Sequence, residues 1–190
     1  MTRFKSEDVE REAMRMVAAM MASSARTAPK ARGVDAIETV IVDGSDLELL
    51  ASAMEGKAKE RPPYLSSAFT RDAQNVRDSG CVLLIGVMGN PKKAEQPMDC
   101  GACGYKSCKD LLNAGRRQGN DFNGPNCILQ AMDLGIALGS AVKLASQLNV
   151  DNRMMYTIGA TAKKLQLLDS DIVIGIPLSI AGKNIYFDRQ

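Results

Sequence analysis

Apolar positions change their spacing along the chain, and the changes mark the elements. Val9, Ala13, Met16, Val17, Met20 and Met21 recur at helical spacing. They predict a helix over 7–21, capped by Ser6, with Glu7 and Asp8 at its positive end. "SSARTAPKARGVDA", 23–36, is punctuated by Pro29 and Gly33 and reads as a loop. "IETVIVDG", 37–44, is β-branched and partly alternating, which predicts a strand. Ser45 and Glu48 have capping-box spacing for a helix to about Lys59, which "RPPY" stops. A second helix is expected over 67–77. "CVLLIGVMG", 81–89, is continuously apolar and predicts a strand buried on both faces. Pro125 reads as the first residue of a long apolar helix, 125–148, followed by a helix over 152–165. "DIVIGIPLSI", 171–180, is a second buried strand; "AGKN" turns the chain into a short terminal strand, "IYF", 185–187. This order predicts one α+β domain over 1–190. Helices cover a mostly antiparallel or mixed sheet, and a cysteine-rich insert occupies 98–127.

Composition narrows the function classes. The 190 residues are 45% hydrophobic, enough for a sizeable core. Basic and acidic side chains nearly balance, 24 against 22, and no long basic run stands out, so no nucleic-acid footprint is expected. The N-terminus is charged where a signal peptide would be apolar, and no apolar run approaches the roughly 18 residues of a membrane span. A cytoplasmic location and no membrane partner are the expectations. The chain has no histidine, which excludes imidazole catalysis. Proton chemistry would fall to carboxylates, lysines, Tyr64 or Tyr105, or to a cofactor. The methionines fall mainly on expected helices, as core filler or adaptable interface.

Five cysteines give the chain its chemistry. Their pattern is Cys100-x2-Cys103-x4-Cys108-x18-Cys127, with Cys81 apart at the head of an apolar strand. A cubane cluster needs four converging thiolates; a short loop can supply three and a distant residue the fourth. Gly101 and Gly104 let the backbone bend closely around such an object. Ser107 and Asp110 read as a capped helix start with Cys108 in its first turn, and Pro125 would place Cys127 in the first turn of the next helix. Amides at both helix ends, with Lys106 and Lys109, would favour thiolates and a negative cluster. Zinc remains open, since it takes the same four ligands, although only one C-x2-C knuckle is present. Cys81 reads as a small buried hydrophobe.

"CGACGYKSC" with "GPNC" resembles the four-iron–four-sulfur domain of some redox and one-carbon enzymes. Across nearly its whole length the chain looks like the uncharacterised prokaryotic proteins described as containing a ferredoxin domain. The remainder is similar to nitroreductase-like flavoproteins. The likeness rests on a helix leading into "ASSARTAPKARGVDAIETVIV", on "AMDLGIALGSAV" and on "LLDSDIVIGIP". That resemblance implies a nitroreductase-like sandwich, a homodimer, and FMN at the dimer interface. Arg26, Lys30 and Arg32 would be available to its phosphate or ring oxygens. A solvated basic loop is the other reading of those three cations. The function expected is electron transfer or redox catalysis with one [4Fe–4S] cluster, FMN in addition if the flavoprotein likeness holds, and a redox partner protein. The alternative is a non-enzymatic module in which zinc or a cluster only staples the insert.

Overall fold

The computed structural model describes residues 3–187. The elements in chain order are α1 (Ser6–Thr27), a 3-10 turn (Ala31–Gly33), β1 (Ile37–Asp43), α2 (Ser45–Ala58), α3 (Pro63–Arg77), β2 (Cys81–Val87), α4 (Cys108–Asn113), β3 (Arg117–Gln118), β4 (Asn123–Gly124), α5 (Ile128–Gln147), β5 (Asp151–Asn152), α6 (Tyr156–Lys164) and β6 (Ile172–Ser179). Strands β1, β2, β6 and β5 form one sheet in that order, and every pairing in it is antiparallel. The expected α+β architecture is therefore present.

Strand β2 is central, and all seven of its residues are buried. Its side chains alternate between faces, as a strand requires. Cys81, Leu83, Ile85 and Val87 join α1 and α5 on one side, and Val82 and Leu84 join α2, α3 and α6 on the other. Covering both faces explains why the run is continuously apolar. Each fully buried Leu or Ile contributes about 1.5–3 kcal/mol. Helix α6 lies directly on β6: a Cβ on Gly159 would stand 1.8 Å from Val173 O, and one on Gly175 would stand 2.1 Å from Ile158 Cγ2.

Several sequence expectations need correction. Helix α1 runs on to Thr27, its N-cap is Lys5, and Ser6 is its first residue. Gly44, not Ser45, caps α2, and Glu48 bonds Ser52 and Arg77 instead of closing a box. Helix α3 starts at Pro63, four residues earlier than expected, because Pro suits a first turn that lacks partners for its N–H groups. "IYF" forms a turn rather than a strand. Its Tyr186 is buried, and its hydroxyl lies 2.8 Å from Ser79 Oγ, so the residue acts as a core plug. Helix α5 is long and apolar enough, by length and composition, to cross a membrane, contrary to the reading of the bare run. One face of it, with Leu134, Ala137, Leu138, Ala141 and Ala145, is buried in the α1 cluster.

Candidate functional site

The cysteine segment leaves the end of β2 as irregular chain. Asp99, Gly101 and Gly104 take left-handed backbone angles, with φ of 44°, 73° and 86°. The Gly104 N–H donates to Gly101 O at 2.9 Å and closes a tight turn around Cys103. The glycines adopt this conformation freely, whereas Asp99 is held in it. Its carboxylate accepts the Cys108 N–H at 2.7 Å and so ties the loop's start to the helix that ends it. The expected capping box is present: Asp110 N donates to Ser107 Oγ, and Ser107 N to Asp110 Oδ2, both at 3.1 Å. Cys108 is accordingly the first residue of α4.

Cys127 is not inside a helix beginning at Pro125. The helix begins at Ile128, and Cys127 is its N-cap, with extended backbone angles and no side-chain cap. Its N–H donates to Gly89 O at 2.8 Å, which fixes it to the end of β2 and holds it out of the helix. All five cysteines are free thiols; Cys100 is exposed, Cys103 and Cys108 half-buried, Cys127 buried. Cys81 is fully buried, faces Met14 O, and its thiol is pushed up to about 12 by burial. It stays protonated. Tyr105 of the cysteine loop and Pro125 line one open cavity of about 420 Å³, so the two cysteine-bearing limbs are neighbours. Among the described residues no three cysteines or carboxylates stand close enough to hold a metal ion. The donor chemistry suits a soft metal or cluster.

Arg116 joins those limbs, a role the sequence did not reveal. Its guanidinium donates to Asn90 Oδ1 at 2.7 Å and to Asn126 Oδ1 at 3.5 Å, and pairs with Asp171 Oδ2 at 3.2 Å. The buried Asp171 carboxylate also accepts the Gly89 N–H at 2.8 Å. Asn126 packs so tightly on Gly89 that a Cβ there would stand 1.8 Å from its Oδ1. One fork thus holds the end of β2, the start of β6 and the residue before Cys127.

Two of the three cations of the basic loop, Arg26 and Lys30, meet at Asp35, and Arg32 turns away to Gln96. Arg26 lies in the last turn of α1 and donates to Asp35 Oδ2 at 2.5 Å and Ile37 O at 2.7 Å. Lys30 donates to Ala25 O at 2.6 Å and Arg26 O at 2.5 Å, covering carbonyls at the helix end. Burial lowers the Lys30 pKa, and the charge of Asp35 opposes the shift. Arg32 has a left-handed backbone, φ 58°, and bonds the Gln96 carbonyl. The loop is held by a pair the sequence did not single out, Lys92 and Asp133, both buried. Lys92 also donates to Val34 O, and Asp133 accepts the Ala31 N–H at 3.0 Å. The partners of Asp133 lie 41 and 102 positions away in the chain, and nothing in local spacing signals them.

Comparison with known proteins agrees with this architecture. A nitroreductase with bound FMN from Desulfitobacterium hafniense superposes with a TM-score of 0.55 at 13% identity, covering 88% of this chain and 78% of that one. A BluB-like flavoprotein from Clostridium difficile gives 0.53 at 15%, covering 95% and 89%. A nitroreductase family protein from Clostridium novyi gives 0.52 at 15%, covering 98% and 79%. At such identities the likeness establishes the fold, which is nitroreductase-like. An uncharacterized protein of Archaeoglobus fulgidus is 47% identical over 183 residues, 96% of this chain and 95% of its own. Residues 123–189 match the family described as "Uncharacterized protein containing a ferredoxin domain". With a close relative along nearly its full length and that match over the segment carrying Cys127, the chain belongs to the family of proteins containing a ferredoxin domain.

Proposed function

We propose that this protein is an iron–sulfur redox protein in which Cys100, Cys103, Cys108 and Cys127 hold one [4Fe–4S] cluster. The observation that carries the reading is the preparation of two separate limbs for thiolate ligation. One limb bends through left-handed Gly101 and Gly104 and presents Cys108 at a capped helix start. The other presents Cys127 at the uncapped start of a 20-residue helix, pinned to Gly89. Helix starts favour negative charge, as do Lys106 and Lys109. When bound, such a cluster supplies one-electron transfer. The chain's own part is to position: Asp99 and the Ser107–Asp110 box orient Cys108, and the Arg116 fork sets Cys127 against the body. Ligation requires the exposed loop, Cys100 included, to close on Cys127. Residues 98–127 then act as a ferredoxin-type insert in the nitroreductase-like domain.

A flavin is the second cofactor of the proposal, suggested by the FMN bound to a neighbour of the same fold. One side-chain oxygen supports it. Gln130 Oε1 is buried and is the one such atom, among the described residues, without a hydrogen-bond donor. Gln130 and Asp133 are three apart on α5 and share a face, the one that holds the basic loop. A ring N–H is the kind of group this oxygen lacks. Arg26, Lys30 and Arg32 would have to exchange present partners for a flavin phosphate, so they are weaker candidates than Gln130. Exposed Met16 and Met20 on α1 and Met132 and Ile136 on α5 form the apolar surface a homodimer would cover.

Anaerobic purification followed by iron, sulfide, zinc and flavin analysis tests the reading. Iron and sulfide in the ratio of a [4Fe–4S] cluster, with a broad visible absorption, are expected. Zinc alone, with a colourless protein, would replace electron transfer by the structural staple.

A further inference from the structure

A second site lies on the opposite face of the sheet from α1 and α5. The last turns of α2 and α6 and the hairpin joining β3 to β4 enclose a polar cavity of about 320 Å³. Its floor is charged. Lys57, almost wholly buried, donates to Asp121 Oδ1 at 2.6 Å, to Ala160 O at 3.0 Å and to Asn120 O at 3.4 Å. Arg61 bonds the same Asp121 oxygen, and the Tyr156 hydroxyl donates to the other. Burial alone would raise the Asp121 carboxyl, but bonds from Lys57 and Tyr156 and the charges of Lys57 and Arg61 outweigh it and hold the group below its ordinary range. At the rim, Lys164 pairs with Glu60 at 3.0 Å, whereas Lys163 bonds only a neutral carbonyl, Asp169 O, at 3.2 Å.

The charges do not balance. Lys57 and Arg61 share a single carboxylate, and Lys163 bonds only a carbonyl, so these three cations face one anion and leave an excess of two positive charges. The C-terminal dipoles of α2 and α6 offset about one charge between them. The rest is positive potential inside a concave, partly dry site, where an unmatched charge is costly and a ligand anion is favoured. The cavity is at the small end of ligand pockets, and its lining is polar.

We propose that this cavity binds a small ligand through an anionic group, a phosphate or a pair of carboxylates. Asp121 is the hub that aligns Lys57 and Arg61 beneath it, and Lys163 closes over it. The site contains none of the four cysteines and none of the basic-loop cations, although its hub Asp121 lies in the 98–127 segment and Gln118, Gly119 and Asn123 also line the cavity beside Tyr105 and Pro125.

Calorimetric titration of the full chain with inorganic phosphate and, separately, with succinate tests it. Saturable binding is expected, weakened about tenfold in Lys163→Ala by loss of one charge-assisted bond. Lys57→Met is expected to bind neither anion; because it removes a buried cation and endangers folding, the half-buried Lys163 is the deciding variant. Lys143→Ala, an exposed cation on α5, controls for net charge and should bind like wild type. Binding of phosphate alone identifies a phosphate ligand, and of succinate alone a dicarboxylate. The proposal is overturned if neither anion saturates wild type by about 10 mM, enough for a Kd of order 1 mM. It is overturned equally if Lys163→Ala binds unchanged, or if Lys143→Ala weakens as much.

Discussion

Every residue of β2 is buried, whereas residues 93–102, which follow it, are all exposed. The strand is held by apolar contact on both faces and by ladders to β1 and β6. The cysteine segment has almost no apolar burial; Leu111 is its one buried hydrophobe before Cys127. It is held instead by polar pins: Asp99 to Cys108, the Ser107–Asp110 box, and the Arg116 fork. Apolar burial is non-directional and strong in sum, so it builds the body without help. Polar pins are each worth only about 1 kcal/mol net, but they are directional. They specify where a thiol stands without making the loop rigid, which is what the proposed closure around a cluster would need.

The difference can be broken at its strongest point first. Leu84→Ala, in the centre of β2, should cost about 2–5 kcal/mol in denaturant unfolding, because the sandwiching layers cannot collapse into the cavity. Loss of iron from this variant should follow only from loss of fold. Cys127→Ser should do the reverse: bound iron falls to background while the stability of the metal-free protein hardly changes. A destabilisation as large as that of Leu84→Ala would show that Cys127 is mainly core.

Arg116→Ala sharpens the contrast further. It strips the buried Asp171 carboxylate of its cation, with an expected cost of about 1–3 kcal/mol. It should also speed iron release to a chelator, and Arg116→Lys, which restores the charge but not the fork, should recover only part. Unchanged release from Arg116→Ala would remove the fork from the site.

Acid should act through Asp121, which ties the β3–β4 hairpin to α2 and α6. The Asp121 carboxyl is depressed in the folded state, so its contribution is fully present above the unfolded value. It is lost as pH falls below about 4 and through the lower folded value. Metal-free wild type should lose stability in that window, and Asp121→Asn should lose less. The smallest expected signal is at Cys81. With its thiol near 12, the thiolate fraction at pH 8 is on the order of one in ten thousand. In metal-free protein, iodoacetamide should label Cys100 and spare Cys81 until unfolding.

Where an element rests on its own residues, it was legible. β2 and β6 are visible as apolar runs because both faces are covered, and α4 because Ser107 and Asp110 cap it locally. Boundaries set by distant partners were not. Helix α5 starts three residues after Pro125 because Cys127 is bonded to Gly89, 38 positions earlier. The terminal "IYF" looks like a strand but joins no sheet, and its Tyr186 is instead buried beside Ser79. The basic loop reads equally as an anion site or a solvated loop because its cations are close in sequence, and spacing did not reveal that helix-end carbonyls, Asp35 and Gln96 engage them.

What the sequence determined by itself is whatever depends on spacing and residue type: the layer order, the continuous burial of the central strands and the burial of Cys81 as a small apolar residue. Hydrophobic periodicity and thiol chemistry are local properties, and they survive reading one residue at a time. The tertiary structure alone decided which charges meet. Lys92 with Asp133, Arg116 with Asp171, and Lys57 with Asp121 are each joined across long stretches of chain. Electrostatic partnership depends on distance and burial, and only the folded chain sets those.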